Sequence, residues 1–249
     1  MEPANFYSGI VVDAYAKLKS STFEPGPYAE FVRAHGEPAL EIGCGDGEPL
    51  LDLSALGLDV DGVDSSADMV ERCRSNAAAR GLPTQVFHQR AENLNLERTY
   101  ASIYFAGPTF NLLPDDDTAA AALGAIERHL AGGGAALIPL WVPPPTSPED
   151  LGSTRVALDD SGARLSYTPL RETYDRTGRT RTTSARYERT TNTGVEVADR
   201  DWIIHWHTPT SFADLCAAAG LRIVEMVDDD TYTDAHEDST SFTATLQHR

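Results

Sequence analysis

Three glycines at alternate positions, in Leu40-Glu41-Ile42-Gly43-Cys44-Gly45-Asp46-Gly47, follow an apolar run and precede a segment carrying Leu50, Leu51, Leu53 and Leu56. That order predicts strand, tight turn, helix, and glycines let the turn approach a ligand more closely than any Cβ would allow. The pattern repeats. The strand DVDGVD leads to a helix that opens at Ser65 or Ser66, runs through Met69, Val70 and Cys73, and stops at Gly81. The strands TQVFH and ASIYFA follow, then a loop through Pro114, an alanine-rich helix from Thr118 to Leu130, a Gly-Gly-Gly turn and the strand AALIPL. Such alternation predicts a mostly parallel sheet covered on both faces, with its ligand crevice at the carboxyl ends of the strands.

The flanks differ. Two short helices are expected before the sheet, one from Val11 to Leu18 and one from Tyr28 to Ala34 closed by Gly36. After Trp141 the segment VPPPTSPED reads as a linker. Between Arg164 and Thr208 strand-like pieces alternate with the turn signals DRTG and TNTG, which predicts an inserted antiparallel unit. The α/β pattern resumes with a helix opened by Thr208 and Pro209, the strand LRIVEM and a last strand SFTATL. The expected division is a helical lid over 1–36, an α/β body over 37–142 and 208–249, and a β insertion over 143–207 that shapes an acceptor site.

Charge narrows the partners. Lys+Arg 20 against Asp+Glu 38 leaves a net charge of −18, a field that opposes a phosphate backbone. Nucleic acid is therefore not expected as a partner. No apolar run approaches the roughly 20 residues that span a bilayer, and the first residues lack the basic flank and apolar stretch of a secretory signal. The expectation is a cytoplasmic chain with no membrane partner, compatible with a homodimer. Cys44, Cys73 and Cys216 are odd in number and never in C-x-x-C, so no disulfide framework and no metal site is expected.

The glycine turn limits what it can hold. A dinucleotide fingerprint needs a glycine where this chain has Glu48, and Glu41, Asp46 and Glu48 would repel a pyrophosphate. Asp64 closes the second strand about 20 residues beyond Gly43, where a carboxylate accepts both hydroxyls of a ribose. The residues thus favour an adenosine without phosphates that carries positive charge.

Taken together, LEIGCGDG, GVDSSADMV and IERHLAGGGAALIPL resemble the glycine, ribose and fifth-strand motifs of the class I S-adenosylmethionine-dependent methyltransferases. The resemblance covers Pro38 to Leu140 and resumes from Thr208 to the C-terminus. It implies an α/β, Rossmann-like, doubly wound seven-stranded sheet with an antiparallel β insertion, and S-adenosyl-L-methionine as cofactor. By resemblance Gly43, Gly45 and Gly47, with Cys44 between them, contact the methionine portion and Glu41 holds its amino end. Asp64 and Ser65 meet the ribose, Met69 covers one face of the adenine, and Phe105 and Tyr15 complete the donor site. Arg90 stands where the family commonly has Asp, which moves the adenine contact to Ala91 or Glu92. Tyr7 and Tyr15 fall in a segment that lids the donor in relatives.

The acceptor side is less defined. His205 and His207, two apart in a strand, share one face while Trp202, Ile204 and Trp206 share the other, so either histidine is a candidate base if that face covers the pocket. A structurally hydrogen-bonded pair is the competing reading. Thr109, Phe110 and Asn111 are candidates for lining the methyl path. Seven arginines between Arg164 and Arg189 are read as cross-strand partners for acids before a site for an acidic acceptor, and Asp228 to Asp238 as a solvated turn lacking calcium-loop spacing. The expected activity is methyl transfer to an oxygen or nitrogen of a small molecule such as a sugar, an amine or a natural-product intermediate. An aminopropyl transferase, an NAD-dependent dehydrogenase and a non-catalytic adenosyl-binding protein are the alternatives.

Overall fold

A computed structural model describes residues 6–18 and 23–249. Parts of the expected lid, residues 1–5 and 19–22, lie outside the described residues. Of the two helices expected in the lid, α1 (Ile10–Leu18) packs beside Ala185 and Tyr187, whereas α2 (Pro25–His35) is a correction: its Tyr28, Phe31 and Val32 are buried in the main core with Ala39, Leu50 and Tyr104, because its apolar face matches that core. The main sheet starts with β1 (Ala39–Ile42), continues through α3 (Leu50–Ala55) to β2 (Val60–Asp64), and through α4 (Ala67–Ala79) to β3 (Val86–His88). Then come β4 (Tyr100–Tyr104), α5 (Asp116–His129) and β5 (Leu130–Trp141). The second sheet is β6 (Arg155–Leu158), β7 (Arg164–Asp175), β8 (Thr180–Thr191) and β9 (Gly194–His205). The chain returns through α6 (Pro209–Ala218) to β10 (Leu221–Asp228) and β11 (Ser241–His248).

Seven strands order as β10-β11-β5-β4-β1-β2-β3. From β1 the sheet grows one way through β2 and β3 and the other way through β4 and β5, all parallel, while β11 inserts antiparallel between β5 and β10. The order of connection reverses between β1 and β4, and there the flanking turns part and leave a crevice. All four residues of β1 are buried, as a strand covered on both faces requires. The Ser66 side chain caps α4 by accepting from the Met69 amide, and Asp115 caps α5 by accepting from Thr118. Thr208 and Ser211 form a reciprocal capping box on α6.

The Gly-Gly-Gly segment is a correction. It lies inside β5, not in a turn before it. The ladder to β4 shifts register between Tyr100 and Ser102, Gly133 has φ +84°, and a Cβ on Gly134 would stand 2.6 Å from the Ala101 carbonyl oxygen. Glycine is needed because the backbones meet at a bulge. Strand β6, within the stretch before Arg164, was also not anticipated. It is a short edge strand whose residues are largely exposed, so it carries no apolar alternation to read.

The four strands β6 to β9 form an antiparallel meander. Phe6, Ile10, Val11 and Ala14 pack against Ala185 and Tyr187 of that meander, so α1 and the second sheet share a small core of their own. Burying an aliphatic side chain such as Ile10 contributes roughly 1.5–3 kcal/mol, enough to hold a two-turn helix that would not persist alone. The segment also ties to the main domain: the Gly9 amide donates to Asp68 (2.8 Å) and the Ser66 hydroxyl donates to the Tyr7 carbonyl (2.5 Å). Lid and meander thereby roof the crevice together.

Candidate active site

A cavity of about 220 Å³ opens where the ends of β1, β2 and β4 meet the roof. Its floor is Ile42, Gly43, Gly45, Val63, Asp64 and Phe105. Gly43 has φ +77°, and a Cβ there would fall 2.4 Å from the Thr109 Cγ2. Gly45, at φ +53°, would meet nothing within 4 Å, so its missing side chain leaves open space at the cavity floor.

Asp64 is set by the turn it faces. The Gly45 amide donates to its Oδ2 (2.9 Å) and the Ser66 amide to its Oδ1 (2.8 Å). Burial pushes this carboxyl above its ordinary value, while the Ser66 and Gly45 amides pull it back. Each carboxylate oxygen keeps a lone pair for a further donor, which is the requirement for holding a vicinal diol. Ser65 and Met69 lie beside it on the wall, and Gln89, Arg90, Ala91 and Glu92 form the far end. Phe6, Tyr7 and Tyr15 close the cavity from the lid, Tyr7 and Tyr15 edge to face with centroids 5.3 Å apart.

Glu41 lies outside the lining. It is fully buried, with its Oε2 accepting from the Tyr104 hydroxyl (2.9 Å) and Oε1 buried without a hydrogen-bond partner among the described residues. Burial pushes its carboxyl up to about 8 against the pull of Tyr104, and Asp64, Asp46 and Glu48 add to the rise. Cys44 and Gly47 also lie outside the lining. Cys44 is buried, and the Cβ of a larger residue at Gly47 would strike Leu51 and Cys73. Of the expected donor residues, Gly43, Gly45, Asp64, Ser65, Met69, Ala91, Glu92, Phe105 and Tyr15 are brought together around the cavity.

Of the five residues expected on the acceptor side, Asn111, His205 and His207 lie away from the cavity. Asn111 is a clamp: its Nδ2 donates to the Trp141 and His205 carbonyls (both 3.0 Å) and its Oδ1 accepts from the Trp141 amide (3.1 Å). It joins the end of β5 to the end of β9. His205 and His207 do meet, edge to face at 4.7 Å, yet both are buried behind the wall and neither lines the cavity. The reason is that β9 ends at His205 and presents Asp201, Trp202 and Ile203 to the cavity instead. Burial lowers the His205 imidazole and, with His205 and Arg179, holds His207 down to about 3. Thr109 lines the cavity; Phe110 is core between Phe105 and Phe212.

Phe6 and the β9 trio escaped the sequence reading. Alternation could have pointed to Trp202, which takes the opposite face from the histidines, whereas Asp201 and Ile203 share the histidines' parity and carry no signal of their own. Two of the arginines act across strands, Arg186 in a two-pronged pair with Asp199 (2.8 and 2.9 Å) and Arg171 donating to Ser184 (3.0 Å), while Arg189 pairs with Asp159 in the turn after β6 (2.7 Å) and Arg179 with Asp116 of α5. Asp228 folds its own acidic turn, accepting from Ser239 and from the Thr231 and Asp230 amides, and the Ser239 bond leads in holding its carboxyl down to about 2.

A doubly wound sheet with a glycine turn, an end-of-strand carboxylate and a roofed, phosphate-averse cavity defines a nucleoside-binding α/β domain. Residues 39–134 match a family profile described as a methyltransferase domain. The chain therefore carries a methyltransferase domain over these residues, the stretch that holds the glycine turn, Asp64 and the rest of the cavity floor. A cypemycin N-terminal methyltransferase of a Streptomyces species is 29% identical over 146 residues, which is 55% of this chain and 57% of that protein. The chain thus spans little more than half the length of this curated relative. The CcbJ methyltransferase from Streptomyces caelestis superposes with TM-score 0.75 at 21% identity, covering 98% of both chains. SAM-bound CalS10, an amino pentose methyltransferase from Micromonospora echinaspora involved in calicheamicin biosynthesis, gives TM-score 0.65 at 21% identity over 97% of this chain and 98% of that one.

Proposed function

We propose that this chain transfers a methyl group from S-adenosylmethionine to a nitrogen or oxygen of a small molecule. The observation that carries the reading is Asp64, fixed by two backbone amides at the cavity floor beside Gly43 and Gly45. The residues suit the donor: open space over Gly45, an orphaned buried oxygen on Glu41, and carboxylates where a phosphate would need cations. Asp64 with Ser65 would hold the ribose, Met69 with Ala91 and Glu92 the adenine, and the turn from Gly43 to Gly45 the methionine portion. Glu41 would answer an ammonium from beneath the floor. When bound, the donor supplies an electrophilic methyl on a sulfonium.

The chain's own part is to place the acceptor in line, exclude water and leave it a free lone pair. Phe6, Tyr7 and Tyr15 shut one side of the cavity from solvent, and Trp202 and Ile203 wall another. His205 and His207 stand behind that wall, so the proton acceptor is assigned to the lining carboxylate Asp201 on β9. On this reading the body spans 37–142 and 208–249, the segment that closes the donor side is 6–18, and the insertion over 143–207 forms the acceptor wall. The strongly acidic surface favours a small acceptor over nucleic acid. No described helix is long and apolar enough to cross a membrane, and a cytoplasmic location and a homodimer belong to the same proposal.

Calorimetry with S-adenosylmethionine and with NAD is the direct test. Micromolar binding of the former and none of the latter is expected, followed by release of S-adenosylhomocysteine with an amine or sugar from a panel of acceptors. No heat with S-adenosylmethionine at millimolar concentration would overturn the donor; binding without turnover across the panel would leave an adenosyl-binding protein. Asp201→Asn should lower turnover more than His205→Ala, and the reverse order would return the base to the histidines.

A further inference from the structure

Behind the acceptor wall, the first turn of α5 meets the end of β9. The Asp116 Oδ1 lies 3.5 Å from His205 Nε2 and 3.7 Å from His207 Nδ1, and the three donor atoms all fall within 4.8 Å of one another. A tetrahedral ion with ligands at about 2.1 Å holds its donor atoms about 3.4 Å apart, so these atoms need only small adjustments to share one. Neither imidazole has an adequate protein partner. Both nitrogens of His207 and the Nδ1 of His205 are buried with no hydrogen bond among the described residues, although His207 is wholly buried and His205 is 3% exposed. Buried imidazole nitrogens without partners are costly, and a cation beside Asp116 would satisfy the orphaned His207 Nδ1 while taking the His205 Nε2 that faces the same carboxylate.

We infer that Asp116, His205 and His207 form a binding site for one divalent first-row transition-metal ion. The ligand set decides the class. Two imidazoles and one carboxylate suit zinc, cobalt, nickel or iron, whereas magnesium and calcium prefer all-oxygen shells. Charge agrees in kind: the Asp116 carboxylate stands against the two imidazoles and would offset part of a dication's charge. Arg179 pairs with the other carboxylate oxygen, Oδ2, which orients Asp116 and leaves Oδ1 turned to the histidines. Asp116 is half exposed, which gives the ion a path in from solvent.

The site is distinct from the donor cavity but adjoins it. Pro114 and Thr118, each two residues from Asp116, and Ile203, two residues from His205, all line the cavity wall. An ion here would pin the start of α5 to the end of β9, the same junction that Asn111 clamps, and so fix the acceptor wall. The inference does not depend on methyl transfer, because uptake can be measured without donor or acceptor.

The full chain, stripped with a chelator and dialysed, is titrated with Co²⁺ followed by visible absorption and with Zn²⁺ followed by thermal melting. One equivalent of Co²⁺ with a ligand-field band is expected, and a melting temperature raised by roughly 5 °C at a hundredfold excess of Zn²⁺ over Kd. Asp116→Ala and His205→Gln should each weaken uptake at least tenfold. If the buried His205→Gln variant fails to fold, Asp116→Ala decides, since that position is half exposed. No stoichiometric uptake by the unmodified chain, or uptake that survives Asp116→Ala, overturns the site. Failure of this test leaves the donor reading intact, and failure of donor binding leaves this one intact.

Discussion

Glu41 shows how one buried carboxyl writes itself into the pH dependence of the whole molecule. Its folded value, about 8, lies above its ordinary 4.5, so the native state keeps a proton that the unfolded chain has lost over that interval. The group's stability contribution is therefore complete below about pH 4.5 and declines as pH climbs toward 8, by an amount on the order of a few kcal/mol. Glu41→Gln, neutral at every pH, should flatten that slope in urea titrations between pH 5 and 8; an unchanged slope would assign it to other groups. Asp64 makes a different prediction. Asp64→Ala removes the acceptor for two buried hydroxyls and should weaken S-adenosylmethionine binding by about 2–3 kcal/mol, read by calorimetry as roughly 30- to 150-fold in Kd. A loss below threefold would mean the ribose lies elsewhere.

Elements are joined here by few, specific contacts, and those contacts are where substitutions should tell. Asn111 makes three hydrogen bonds that tie β5 to β9. Asn111→Ala strands a backbone carbonyl at His205 and should cost about 2–4 kcal/mol in denaturant unfolding. Asn111→Asp, which keeps an acceptor for the Trp141 amide but loses both donors, should be nearly as damaging. If both variants melt like the parent, the clamp is ornamental. Ser66 acts twice, capping α4 and donating to the Tyr7 carbonyl of the lid. Ser66→Ala should cost about 1 kcal/mol as a cap and also loosen the lid, so proteolysis within α1 should quicken more than global unfolding does. Equal acceleration of both would mean the lid is held by its packing on the second sheet alone.

At the scale of the whole molecule, a net charge of −18 makes the compact state repel itself. Raising sodium chloride from 10 to 200 mM, where the Debye length shrinks from about 30 Å to under 10 Å, should raise the melting temperature; a fall would show that ion pairs such as Arg98 with Asp59 and Asp61 outweigh the repulsion. The chain's linear pattern carried much of the design. Period and glycine placement disclosed the strands, helices and turn around Gly43 to Gly47, and Asp64 could be located because strand, turn and acid follow one another within a single βαβ unit. Those features are local, set by backbone sterics and by burial patterns that repeat along the sequence. The surroundings of the cavity away from the glycine turn take shape only in three dimensions: Trp202 and Ile203 on its lining, Phe6 beside them, Asn111 bridging two sheets, and His205 and His207 turned to Asp116. These residues come from segments separated by up to about two hundred positions, and their roles arise from burial and proximity that no stretch of sequence contains. A histidine's protonation and an asparagine's partners are properties of its neighbours, and only the packing of lid, sheet and insertion supplies them.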